Sequence, residues 1–188
     1  MRTFVKTIAW LSFVLLFCHA GNLWASHAMG VDITYECISG NDYRFRLNFY
    51  RDCDGIAAPT SVTLQFNSPS NCGTTFSATL IQVSGTGLEV SPLCPTQLPN
   101  STCGSGTLPG VQLWEYEATV TMPANCTDWN ISWSHCCRNN MITNLVTPSS
   151  QDMFVFTELN NTLPNCNSSP AFSSLPVPYI CAGQLFCY

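Results

Sequence analysis

Eleven cysteines follow a short apolar leader, and no other feature of this 188-residue chain narrows its fold so far. The leader reads "MRTFVKTIAWLSFVLLFCHAGNLWA". Arg2 and Lys6 charge its start, an uncharged apolar run follows, and small residues close it, which is the pattern of a secretory signal peptide. The run is shorter than the about 20 residues that a bilayer span needs. Cleavage is expected after Ala25, with Ala20 as second choice, and bulky Phe17 disfavours a lipoprotein anchor at Cys18. Export puts Cys37, Cys53, Cys72, Cys94, Cys103, Cys126, Cys136, Cys137, Cys166, Cys181 and Cys187 in an oxidising compartment, where they are expected to form a disulfide framework. The odd number implies a free thiol, a partner on another chain, or a partner beyond Tyr188.

The chain is 46% hydrophobic and only 9% charged, whereas a typical globular chain carries about a quarter charged residues. It has apolar surface enough for a core, which argues against wholesale disorder. After Ala25 the cations are Arg44, Arg46, Arg51 and Arg138, and these four against 11 acids give a net charge of −7. Such a chain repels phosphate backbones and has no basic patch, so nucleic acid is excluded as a partner. No further segment is long enough to cross a membrane, so no span is expected after signal cleavage.

Past the leader the apolar pattern has period two. "DITYEC" and "DYRFRLNFYRD" alternate on either side of "SGND", which marks a hairpin with Tyr43, Phe45, Leu47 and Phe49 on one face. "SVTLQF", "SATLIQVSG", "VQLWEYEATVTM", "DWNISWS" and "DMFVFTEL" are further strands. Turn-rich loops separate them, and no helical periodicity is present. The expected fold is all-β: an antiparallel immunoglobulin-like β-sandwich stapled by disulfides, with a partly open β-barrel as the alternative. The segment from Ser91 to Gly110 is expected to be a cystine-bearing surface loop. The expected organisation is a signal peptide over 1–25, a disulfide-rich β-domain over 26–165, and a Pro-rich extended segment over 166–188 that leads into a further domain absent from this chain.

Three places invite a chemical reading. In "WSHCCRNN", Cys136 and Cys137 are adjacent and on a strand point to opposite faces. That placement suits neither one metal ion, even with His135, nor a redox C-x-x-C pair. The expectation is that each reaches a different cysteine and the two bridges pin the strand end. In "YRDCDG", Asp52 and Asp54 flank Cys53 ahead of Gly55. They resemble the start of a calcium loop, but its third acid and closing Glu are missing, so a turn with Cys53 in a bridge is preferred. The only cofactor these residues suggest is calcium, at Asp52 and Asp54. Trp114, Trp129 and Trp133 could stack on a polysaccharide, although aromatics at alternate strand positions are more often core. Glu115 and Glu117, about 7 Å apart along a strand, read as the solvated side of an amphipathic strand rather than a hydrolase pair. N-x-S/T sequons occur at Asn100, Asn125, Asn130, Asn160 and Asn167.

"ASHAMGVDITYEC", "YRFRLNFYRDCDG", "WSHCCRNNMITN" and "NSSPAFSSLPVPYICAGQLFC" occur in this order, and together they resemble the N-terminal domain of a family of large secreted proteins of Bacteroidetes. The resemblance runs from about Ser26 to Tyr188. It implies a cell-surface or extracellular module that precedes PKD or other immunoglobulin-like repeats and a gliding-motility-associated C-terminal domain used in type IX secretion. Neither repeats nor a sorting domain occur in this chain, and the resemblance carries no catalytic residue. The expected function is that of a non-enzymatic adhesin-like β-domain, meeting an extracellular protein or polysaccharide. A carbohydrate-binding module that uses exposed Trp is the alternative, and an extracellular hydrolase ranks behind both.

Overall fold

The computed structural model describes residues 28–140, 142–163 and 166–170. The expected signal peptide, Cys181, Cys187 and most of the Pro-rich tail lie outside the described residues. The strands are β1 (Ala28–Ser39), β2 (Asp42–Asp52), β3 (Ser61–Ser68), β4 (Thr74–Gln82), β5 (Leu88–Glu89), β6 (Val111–Thr121), β7 (Trp129–His135) and β8 (Met153–Leu159). Three single-turn 3-10 segments are the only other regular elements among the described residues. No helix described is long and apolar enough to cross a membrane.

The chain is all-β and antiparallel, as its alternation predicts. The hydrogen-bonded order is β1-β2-β6-β4-β3-β7-β8, with β5 added to β6. One continuous sheet therefore curls on itself into a nearly barrel-shaped double layer. The expected β1–β2 hairpin forms, with Tyr35 opposite Phe45 and Ser39 opposite Asp42. Gly40 turns it at φ +52°, a conformation that glycine adopts without a Cβ penalty.

Where the two ends of the sheet meet, β1 and β8 share no ladder. The Tyr35 hydroxyl donates to Glu158 O at 2.9 Å. Beyond it, residues 166–170 lie along β1. Ser169 N donates to Tyr35 O at 2.9 Å, and Tyr35 N donates to Ser169 Oγ at 2.9 Å. Cys37 N donates to Ser168 Oγ, and Cys37 is bonded to Cys166, 129 residues away. Part of the tail thus pairs with an edge whose backbone groups would otherwise be left to water or to another chain.

Inside the curl, Tyr43, Phe45, Leu47 and Phe49 of β2 meet Val62, Leu64 and Phe66 of β3 and Trp129, Ile131 and Trp133 of β7, all buried. Phe45 and Phe66 touch edge to face at 5.0 Å, and Phe66 stacks on Phe76 of β4 at 4.4 Å. A single aromatic core therefore serves both layers, with ring geometries that add to simple burial.

Candidate functional site

The "WSHCCRNN" corner forms one end of the barrel. β7 stops at His135, so Cys136 and Cys137 lie past the ladder. They are bonded to each other, with a Cα–Cα distance of 3.7 Å. This corrects the expectation that they reach different partners. Opposite-facing side chains hold only while the chain stays extended, and Cys137 instead has φ +84°, a left-handed conformation that is uncommon outside glycine. The backbone around the pair gathers several strand ends. Cys137 N donates to Gln151 O at 3.1 Å, Arg138 N to Pro148 O and Gln151 O, and Asn139 N to Ala28 O at 3.2 Å. The buried Asn139 amide donates to Asp52 Oδ2 at 2.6 Å, which ties in the end of β2.

His135 is stacked on Trp133 at 5.2 Å and 15°, and meets Phe49 edge-on at 6.1 Å. Burial pushes its pKa down, with the Asp152 carboxylate opposing, so the neutral ring is favoured. It is a packing histidine, and among the described residues no cluster of three or more His, Cys, Asp or Glu could hold a metal ion.

Asp52 and Asp54 do not converge on a cation cavity. Asp52 Oδ1 accepts Asp54 N–H at 3.0 Å while Oδ2 accepts Asn139, and Asp54 is exposed. The loop carbonyls that could supply further oxygen ligands already face a cation. The Arg51 guanidinium donates to Cys53 O, Gly55 O and Ile56 O. The preferred turn is present, an Asx turn whose carbonyls wrap around an arginine. Cys53 is bridged to Cys103, so the 91–110 loop is stapled to the end of β2.

Trp129 and Trp133 are core, as their alternate strand positions favoured, and not an exposed platform. Trp129 is 0% and Trp133 6% exposed, because both occupy the inward phase of β7. Trp114 is half-buried: its Nε1 donates to Gln112 Oε1 at 3.3 Å, and Gly87, at φ +86°, lies against its ring, where an added Cβ would come within 2.8 Å. At the far end of the barrel, Cys72 is bonded to Cys126. Beside them, Asp128 accepts the Ser68 hydroxyl and the N–H groups of Ser70 and Asn71, which hold its carboxyl below the ordinary range. Cys94 is disulfide-bonded as well.

What remains are the two outer faces of the sheet. On β1–β2–β6, Arg46 reaches Glu117 at 2.7 Å, and Arg44 reaches Glu36 at 3.1 Å and Glu117 at 3.5 Å. Asn48 donates to Asp32 at 2.9 Å. Burial raises the Asp32 pKa, and burial beside Asp32 pushes the Tyr50 hydroxyl up to about 12. Glu117 is thus an ion-pair partner, and with Glu115 it fits the expected solvated strand face. On β4–β3–β7–β8 the outward residues are Ser, Thr, Asn and Gln, joined by Ile81, Glu158 and two phenylalanines. Phe154 is 60% and Phe156 53% exposed, with ring centroids 6.0 Å apart. Sequence reasoning missed this pair. Met153 and Val155 gave the phase that places Phe154 and Phe156 outside, but in "DMFVFTEL" both phases are apolar and the signal does not stand out.

Comparison of the chain with known protein families, with curated proteins and with solved structures finds no match.

Proposed function

We propose that the chain is a non-enzymatic, exported β-module, an adhesin-like or gliding-motility-associated component of a larger extracellular protein. The observation that carries this reading is the placing of the cystines. Cys37–Cys166 closes the seam of the curled sheet, Cys53–Cys103 and Cys72–Cys126 tie loops at its ends, and Cys136–Cys137 forms a corner where strands converge. Such density belongs to proteins that must stay folded in an oxidising exterior. Of the candidates named above, Asp52 sits in a turn, Glu117 in ion pairs and His135 in a ring stack, which supports a structural role over a catalytic one. The test is thermal unfolding with and without reductant. A staple typically contributes about 2–4 kcal/mol, so reduction is expected to lower the melting temperature by at least about 5 °C. An unchanged melting temperature contradicts the reading.

A further inference from the structure

We propose that the outward face of β4–β3–β7–β8 binds a neutral polysaccharide, with Phe154 and Phe156 as its stacking platform. The rings stand side by side on the outer phase of β8, tilted 32° to each other. Phe154 lies across from Ser134 and Phe156 across from Ser132, which in turn faces Gln65 of β3. Gln65 faces Ser77 of β4. At about 4.8 Å between strands, this row runs roughly 14 Å from an aromatic ring across hydroxyl and amide groups.

The charge distribution selects the ligand. All four arginines of the described chain are engaged elsewhere: Arg44 and Arg46 on the opposite face, Arg51 in its own loop, and Arg138 donating to Asp152 O at the barrel end. Glu158 is the one charged residue on the outward phase of these strands. Along the strands of this face a nucleic acid, a uronate polymer or an anionic membrane would find no cation, Arg138 lying beyond the start of β8, and each depends on one. The rings are flanked by hydroxyls, whereas stable protein interfaces place their anchors in an apolar, desolvated centre. A neutral glycan suits both halves of the surface. Its C–H faces cover exposed aromatic rings, and its hydroxyls, each donor and acceptor, match side chains of the same kind. The proposal places the platform on phenylalanines rather than on the buried tryptophans. It is independent of the export reading, except that export is what would bring the face to a glycan.

The test is affinity electrophoresis of the full chain in gels containing hydroxyethylcellulose, barley β-glucan, xylan, starch or polygalacturonate. Retardation by at least one neutral polymer is expected, with none by polygalacturonate. Phe154→Thr/Phe156→Thr should weaken the apparent affinity at least tenfold, and Arg44→Gln/Arg46→Gln should leave it within twofold. No retardation by any neutral polymer, or equal retardation of the Phe variant, overturns the proposal. So does a concentration-dependent dimer in sedimentation that the Phe variant abolishes, which would make the face a contact between copies. Retardation that persists in a protein whose melting ignores reductant would fail the export reading and leave this one standing.

Discussion

The two outer faces of the sheet share one core but are built differently. On β1–β2–β6 charged and amide side chains pair across strands: Glu117 is gripped by two arginines and Asp32 by Asn48. On β4–β3–β7–β8 most outward side chains are Ser, Thr, Asn or Gln, with Glu158 the one charge, and Thr63 and Thr79 form a cross-strand hydroxyl pair at 3.3 Å. Phe154 and Phe156 stand in water beside them. The first face is tied together by ion pairs. The second exposes apolar rings at a solvation cost, the kind of surface that marks a contact still to be made.

Substitutions at four places bear on this contrast, each with a smaller expected effect than the one before. The largest concerns the shared core. Phe45 lies behind the charged face and Phe66 behind the hydroxyl face, and the two rings touch. Phe45→Ala and Phe66→Ala should each cost about 3–5 kcal/mol in denaturant unfolding. A cost at only one of them would mean that the layers are separate units. Next comes the seam that joins the faces. Cys37→Ser/Cys166→Ser should cost about 2–4 kcal/mol and speed hydrogen exchange in β1 and β8 ahead of β3 and β4. Uniform exchange would contradict the strap along β1.

A pH titration separates the barrel end from both faces. The folded-state pKa of His135 lies below its ordinary 6.5, for reasons of burial. As pH falls below about 7, the unfolded chain takes the proton first, so stability declines until the folded-state pKa is passed. The melting temperature of His135→Phe should lose that limb, and a limb kept in full would assign it to another group. Smaller still is the ion-pair ladder. Arg46→Gln should cost less than about 1 kcal/mol, and less again in high salt, because its pair with Glu117 is exposed. A cost above about 2 kcal/mol would make the charged face a structural clamp.

The hairpin, the strands and the inward phase of β2 were legible in the sequence because alternation there is clean: arginines and an asparagine interleave with aromatics and leucine. β5 was not, since two residues carry no period. The cysteine corner misled because the extended geometry assumed for Cys136 and Cys137 ends one residue earlier, at a left-handed backbone that side-chain identity does not announce. The turn at "YRDCDG" was legible from its Asp and Gly, but the part of Arg51, whose guanidinium donates to the carbonyls of Cys53, Gly55 and Ile56, was not. The exposed Phe pair was hidden by apolar residues on both phases of β8, where only the sheet's curl decides which side faces water.

The most direct test of the contrast is the melting temperature of Phe154→Thr/Phe156→Thr. Threonine keeps the strand propensity of the site and extends the hydroxyl surface, so the substitution changes little except the exposed rings. If the pair serves a contact rather than the fold, the melting temperature should stay within about 2 °C of the parent, as surface substitutions do. A fall of more than about 6 °C would show that the rings hold the structure together, and the two faces would then be alike.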